Sequence, residues 1–275
     1  MNQKAMISIV VPVYNQAHLT ERCLESLLLH SVAAREIIVT DNNSIDTTPE
    51  LLVYFKSRFE QQGWRFQIIT NSENRGFGRA CNQGIRATQG EYVVVLNNDT
   101  WVMPRWDIAL LKLAQDLGAD MVGPHYDETV FDAVLTPKKA DQFVLRNRGK
   151  FARDWVSILM FFRRSALEKL SLLQVPGLPE FPEFFDERFF VTYEDTDLRE
   201  RMDRARMRYF KSGDCSIWHF SKGTRETQSL PQGYEQEGLR LFIEKWGFDP
   251  RLRESTFKAR LLRRWKKIKV RFGLF

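Results

Sequence analysis

Apolar residues run from Ile7 to Val13, broken only by Ser8 and Pro12, and such a run predicts a strand buried on both faces. The period then changes. Leu19, Cys23, Leu24, Leu27 and Leu28 fall mostly three or four apart and predict an amphipathic helix. Residues 36–40 return to strand character, and Leu51, Leu52, Phe55 and Phe59 recur with helical spacing before a third strand at 66–70. Residues 76–87 predict a short helix, Tyr92–Leu96 a fourth strand, and Trp106, Ala109, Leu110, Leu113 and Leu117 a further helix after Pro104. Four strand–helix alternations before residue 120 predict an α/β fold whose sheet is mostly parallel and covered on both faces.

Beyond residue 120 the alternation fades. Residues 127–150 are polar and predict an irregular or hairpin-like stretch leading into the apolar run 156–162. Pro176, Gly177, Pro179 and Pro182 punctuate the chain, a helix is expected from about Asp195, and a strand at 208–210 or 217–220 follows. Residues 232–246 read as helix. The pattern divides into residues 1–124, 125–247 and a basic segment 248–275.

Composition narrows the class of protein. The 275 residues are 43% hydrophobic and 28% charged, with 21 Phe, which excludes wholesale disorder. The net charge of +6 is unevenly placed: residues 251–275 hold ten Lys or Arg against Glu254, so the chain before them is slightly acidic. Phe257, Leu261, Leu262, Trp265, Ile268 and Phe272 form an apolar stripe between those cations. That pattern suits a helix lying on an anionic membrane surface, with packing on the body as the structural alternative, rather than nucleic acid. No run approaches the roughly 20 apolar residues that span a bilayer, and no secretory leader is read ahead of Ile7. Cys23, Cys81 and Cys215 are widely spaced and odd in number, which fits a reducing cytoplasm.

Three polar clusters coincide with three predicted strand ends: Tyr14–Asn15, Asp41–Asn42–Asn43 and Asn97–Asn98–Asp99. In open α/β sheets ligands bind beyond the carboxyl ends of the strands. Asp99 is placed there either to hold a divalent cation that binds a diphosphate or to end its strand in an Asx turn. His219 could complete such a coordination sphere or serve as a structural imidazole. Asp41 is suited to accept hydrogen bonds from a base or ribose, and Asp46 to cap the following helix. Glu194, Asp195 and Asp197 are acidic residues at a helix start, where they complement its dipole, with Arg199 spaced to pair with Asp195; a carboxylate there also suits a base taking a proton from an alcohol. Ser221–Lys222–Gly223–Thr224 supplies a cationic loop suited to phosphate. Trp155 and Tyr193 offer candidate sugar-stacking faces, whereas Phe184, Phe185, Phe189 and Phe190 read mainly as core. The stretch Arg75–Gly76–Phe77–Gly78 lacks the third glycine of a dinucleotide fingerprint, and no P-loop is present.

Taken in order, VPVYN (11–15), DNNSID (41–46), NRGFGRACNQG (74–84), NNDT (97–100), YEDTDLRER (193–201) and WHFSKG (218–223) resemble the inverting family 2 glycosyltransferases, in particular bacterial rhamnosyltransferase-like members. The resemblance covers roughly residues 5–225. It implies a GT-A fold, a single Rossmann-like nucleotide-diphospho-sugar transferase domain with a mostly parallel central sheet. It implies that Pro12, Val13, Tyr14, Asn15 and Asp41 contact the nucleotide and that Arg75 positions base or phosphate. Asn98 stands where relatives carry an aspartate facing the ribose. Asp99 and His219 correspond to ligands of Mn2+ or Mg2+, and Asp195 to the catalytic base, with Glu194 its rival. The implied substrates are a UDP- or dTDP-sugar and a glycan or lipid-linked saccharide acceptor, with Trp155 on the acceptor side and Lys222 near the leaving diphosphate. A surface-polysaccharide or lipopolysaccharide enzyme, peripheral at the inner face of a bacterial inner membrane, is the expectation. A nucleotidyltransferase and a catalytically silent sugar-nucleotide-binding protein are the alternatives.

Overall fold

Every residue of β1 (Ile7–Val13) is buried, and its side chains leave alternately for two cores. Ile7, Ile9, Val11 and Val13 join one core and Val10 the other. The computed structural model describes residues 7–124, 137–171, 184–220 and 232–255. After β1 come α1 (Ala17–His30), β2 (Glu36–Asp41), α2 (Thr48–Gln61), β3 (Arg65–Thr70), α3 (Phe77–Ala87) and β4 (Tyr92–Leu96). Next are β5 (Thr100–Val102), α4 (Trp106–Asp116), β6 (Met121–Pro124), α5 (Pro137–Asn147), β7 (Phe151–Ala152), β8 (Leu159–Arg163) and α6 (Arg164–Ser171). The order closes with α7 (Glu194–Arg204), β9 (Tyr209–Ser212), β10 (Ile217–His219), α8 (Tyr234–Trp246) and α9 (Pro250–Ser255).

Among the described residues, one sheet has the order β3-β2-β1-β4-β8-β6-β9-β7, and β10 pairs with β5 in a separate ribbon. The first four strands are parallel to one another, so their carboxyl ends share one edge. Strand β8 runs antiparallel between β4 and β6, which joins both halves of the chain in one sheet. One sheet face is covered by the apolar stripes of α1, α2 and α4, through residues such as Leu24, Leu27, Phe55, Phe59 and Leu110. Cys81 of α3, Leu167 of α6, and Leu198 and Met202 of α7 cover the other. Chain order reverses between β1 and β4, the kind of position in an open α/β sheet beside which ligands bind.

Several differences from the pattern-based expectation have local causes. Residues 127–150 are not wholly irregular, because α5 occupies 137–147. Among its described side chains Phe143 alone is buried, which leaves no periodic stripe to read. The choice between 208–210 and 217–220 was unnecessary, since both are strands in different sheets. The three-residue β5 and four-residue β6 are too short for alternation to reveal. No helix among the described residues is long and apolar enough to cross a membrane. Residues 256–275, including the apolar stripe from Phe257 to Phe272, lie outside the described residues.

Candidate active site

The small β5–β10 ribbon sets the central geometry. Thr100 faces His219 across the antiparallel pair, and the Phe220 amide donates to the Asp99 carbonyl at 2.9 Å. That register places His219 Nε2 3.2 Å from Asp99 Oδ1, both side chains largely buried. One imidazole nitrogen and one carboxylate oxygen at this separation can both ligate a single divalent cation. Among the described residues no group of three or more His, Cys, Asp or Glu has a ligating arrangement. A cation held by this pair would complete its shell with further oxygen ligands such as a diphosphate and water, a donor set that suits Mn2+ or Mg2+.

Behind this pair, Asn98 Nδ2 donates to Thr20 Oγ1 of α1 at 3.0 Å, so its amide is held against the helix. Thr100 Oγ1 closes the turn onto the Asn97 carbonyl at 2.7 Å, and the Asn97 amide donates to the Ile158 carbonyl at 3.0 Å. The strand end is thus fixed from both sides. Cys23 packs beside it, its thiol pushed up to about 12, chiefly by burial, and partly offset by the Thr100 hydroxyl. It packs as an apolar group.

The donor-side residues lie at the ends of β1 and β2. Pro12 and Val13 are buried strand residues, so their backbone rather than their side chains faces this edge; the Val13 carbonyl accepts the Asn42 amide at 2.9 Å. Tyr14 and Asn15 are half-buried. Asn15 Oδ1 accepts the Ile45 N–H at 2.8 Å, which ties its side-chain oxygen to the loop after β2. Asp41 is 2% exposed, and its Oδ1 accepts the Ser44 N–H at 3.0 Å and the Ser44 hydroxyl at 2.6 Å. Asp46 joins the two loops, accepting the Ala17 amide at 3.0 Å and the Thr48 amide at 3.0 Å. Burial raises its pKa, but these hydrogen bonds outweigh that and hold the carboxyl below its ordinary value.

A second polar lattice supports the edge. Asn42 Nδ2 donates to the Gly76 carbonyl at 3.2 Å, while Asn42 Oδ1 accepts from Asn71 at 2.8 Å; Asn71 and Gln83 exchange amide hydrogen bonds at 2.9 and 2.8 Å. Gly76 has φ of +83°, and a Cβ there would lie 2.3 Å from the Phe190 carbonyl. The RGFG stretch therefore needs glycine for close approach of two backbones, which the Phe77 amide seals by donating to the Phe190 carbonyl at 2.9 Å. Arg75 is 3.6 Å from Glu73 and its guanidinium is partly exposed.

On the acceptor side, Tyr193 adopts φ of +68° and opens α7, whose first turn carries Glu194, Asp195 and Asp197. Their positions diverge. Asp195 is half-exposed and accepts the Thr196 hydroxyl at 3.2 Å; Glu194 is buried, close enough to Cys81 to help raise that thiol. Asp197 is fully buried and paired with Arg201 at 2.8 Å and Lys245 at 2.6 Å, and it accepts the Trp246 indole N–H at 2.9 Å. The expected Asp195–Arg199 pair does not form. Arg199 turns to Asp154 at 3.2 Å and lies over the Trp155 ring at 5.2 Å. Trp155 itself is 4% exposed and belongs to the second core. With its ring packed in that core and covered by the Arg199 guanidinium, it offers no open stacking face, and that expectation is corrected. Phe184, Phe185 and Phe189 are core residues. Lys222 lies outside the described residues.

The pattern reading missed the clamp beneath α7. Lys245 of α8, with no exposed side-chain surface, bridges Asp197 and Asp186; Arg188 pairs with Asp186 at 2.7 Å and Arg201 donates to the Phe184 carbonyl at 2.5 Å. Residues 232–246 read only as helix, and tertiary contact alone shows that Lys245 is buried. The pattern also gave no sign of Ser44, whose bonds to Asp41 and Asn15 appear only once β1 and β2 are paired.

The mostly parallel sheet thus gathers its polar residues at one carboxyl edge, beside an Asp–His pair. The model of glycosyl transferase family 2 matches residues 8–171, and the chain belongs to that family. The chain is similar to the putative glycosyltransferase EpsH of Bacillus subtilis (strain 168), with 32% identity over 110 residues, 40% of this chain and 30% of that protein. It is 31% identical over 126 residues to the succinoglycan biosynthesis protein ExoO of Rhizobium meliloti (strain 1021), covering 46% of this chain and 34% of the relative. In these matches the chain spans about a third of the curated relatives' length. Among solved structures, the mannosyltransferase PcManGT of Pyrobaculum calidifontis, in complex with GDP-Man and Mn2+, superposes with TM-score 0.58 at 19% identity, over 88% of this chain and 65% of that one. That likeness establishes the GT-A fold.

Proposed function

We propose that this family 2 glycosyltransferase moves a sugar from UDP or dTDP to a glycan or lipid-linked saccharide in bacterial surface-polysaccharide synthesis, with inversion at the anomeric carbon. The observation that carries the reading is the 3.2 Å approach of Asp99 and His219 at the strand edge that also bears Asp41. The name of the succinoglycan relative supports the polysaccharide assignment, and the Mn2+ in the mannosyltransferase complex supports a divalent cation. A rhamnosyl donor is one member of the proposed donor class.

Asp99 and His219 would hold Mn2+ or Mg2+, which when bound supplies positive charge to the leaving diphosphate. The backbone at Pro12–Asn15, together with Asp41, binds the nucleoside, and Arg75 and Lys222 contribute positive charge toward the phosphates. Asp195 takes the proton from an acceptor hydroxyl as that oxygen attacks the anomeric carbon from the face opposite the diphosphate. The carbon–oxygen bond to the diphosphate breaks and its electron pair leaves with the nucleotide. One displacement inverts the centre, and no protonation of the leaving oxygen is required.

Residues 251–275 are proposed to dock the enzyme on an anionic membrane surface, where a lipid-linked acceptor would be presented. Vesicle sedimentation tests this separately: a chain truncated at residue 250 is expected to stay in the supernatant, and full sedimentation would refute the role. For the catalytic reading, UDP- and dTDP-sugars are screened with Mn2+ or Mg2+ for thermal shift and nucleoside diphosphate release. Both signals are expected from one donor. Pyrophosphate release from a nucleoside triphosphate and a sugar phosphate would instead identify a nucleotidyltransferase, and a shift without turnover under every acceptor condition a silent binding protein.

A further inference from the structure

The hydroxyl of Ser44 stands between two loops. Its oxygen accepts the Asn15 N–H at 2.7 Å, and it lies 2.6 Å from Asp41 Oδ1. A backbone N–H only donates and a hydroxyl has one proton, so the directions are fixed: Ser44 receives from Asn15 and gives to Asp41. The Ser44 amide adds a second hydrogen bond to the same carboxylate oxygen at 3.0 Å. Asn15 answers across the gap by accepting the Ile45 amide at 2.8 Å. The backbone so held is otherwise disfavoured, with φ of +52°, +61° and +67° at Asn15, Gln16 and Asn43. Left-handed conformations outside glycine persist where surrounding contacts over-determine them, and such strain commonly marks a ligand clamp.

We propose that Ser44 is a positioning residue for the nucleoside: it locks the Asp41 carboxylate and the 14–17 loop in the arrangement that receives the donor before the donor arrives. The inference rests on the reading that Asp41 contacts the nucleoside. Both loops end parallel strands at the same sheet edge, β1 and β2 being hydrogen-bonded in register from Ser8–Glu36 to Val13–Asp41. The lock joins their final turns, so no movement of one loop leaves the Asp41 carboxylate unchanged. Preorganisation of this kind strengthens binding by removing ordering cost and leaves the displacement step alone. Ser44 itself need not touch the nucleotide.

The test is a double-mutant cycle read by calorimetric binding of UDP or dTDP in the presence of Mn2+, using the one that gives the larger thermal shift. Ser44→Ala is expected to raise Kd about tenfold, the scale of one lost charge-assisted hydrogen bond, with kcat at saturating donor changed less than about threefold. Ser44→Thr, which keeps the hydroxyl, is expected to bind within about threefold of wild type. Asp41→Asn alone weakens binding, and adding Ser44→Ala to it costs less than about threefold more, because the partner charge has gone. If Asp41→Asn binds as wild type does, the nucleoside contact of Asp41 fails and this inference falls with it. If Asp41→Asn weakens binding but Ser44→Ala does not, or if the two effects multiply in full, only the role of Ser44 is overturned. Thermal melts of each variant separate loss of fold from loss of affinity. Should Ser44→Ala not fold, it is replaced by Ser44→Gly, which also lacks the hydroxyl and is expected to weaken binding about as Ser44→Ala does.

Discussion

His219 Nε2 and Asp99 Oδ1 lie 3.2 Å apart because β10 pairs with β5 in a register that sets His219 opposite Thr100. The two residues come from far-separated segments, and three-residue strands align them. A ribbon this small cannot hold its own register. Its supports are local: the Thr100 hydroxyl on the Asn97 carbonyl, the Ser26 hydroxyl accepting the Val102 amide at 3.1 Å, and buried Ile217 and Val102 in the first core.

Asp195 and Glu194 divide the first turn of α7 between access and burial, and that division predicts their kinetics. Asp195 is half-exposed, whereas Glu194 is buried. Asp195→Asn is expected to keep donor affinity within about threefold and to lower transfer by roughly a hundredfold or more, the usual weight of a general base. Glu194→Gln should cost less. Donor binding and single-turnover transfer measured on both variants decide it, and full transfer by Asp195→Asn removes it from the base role.

Lys245 gives a stability prediction. It is buried with no exposed side-chain surface between Asp186 and Asp197. Lys245→Met leaves two buried carboxylates short of a cation, which costs about 3–5 kcal/mol. For a domain of this size that corresponds to a Tm drop of roughly 10 °C. Urea and thermal melts check it, and a Tm within about 2 °C of wild type would show that the clamp contributes little.

The first half of the fold was legible because its strands are continuous apolar runs and its helices present apolar residues at three- and four-residue spacing. Ile7–Val13 and Tyr92–Leu96 occur where the pattern placed them. The second half was less so. Strand β6 spans four residues, Phe143 is the one buried side chain among the described residues of α5, and α7 is so rich in charge that its core contacts reduce to Leu198 and Met202. At the site, Asp41 and Asp99 were visible as carboxylates closing strands. What their neighbours do was not: Arg199 chooses Asp154 over the nearer-in-sequence Asp195, and Trp155 turns inward beneath it. Spacing along a helix offers a partner, and tertiary packing supplies a better one.

Asp186 makes acid stability a readout of the same clamp. Burial alone would raise its pKa, but hydrogen bonds from Arg188 and Lys245 and the charge of Lys245 win, holding it at about 2. A carboxyl depressed in the folded state contributes stability above its unfolded pKa and loses it as pH falls through the folded value. The contribution is therefore complete above about pH 4 and declines toward pH 2, by on the order of 2 kcal/mol. Asp186→Asn should flatten that part of the stability–pH curve measured by urea unfolding. An unchanged slope between pH 4 and 2 would place the acid sensitivity elsewhere.

The proposal that Asp99 and His219 hold one cation between them is tested most directly by calorimetric titration of Mn2+ into protein saturated with UDP or dTDP, without any turnover. Wild type is expected to take up one Mn2+, with Asp99→Asn and His219→Ala each weakening it at least tenfold while their melts stay near wild type. Mn2+ binding at wild-type affinity in both variants would contradict the account.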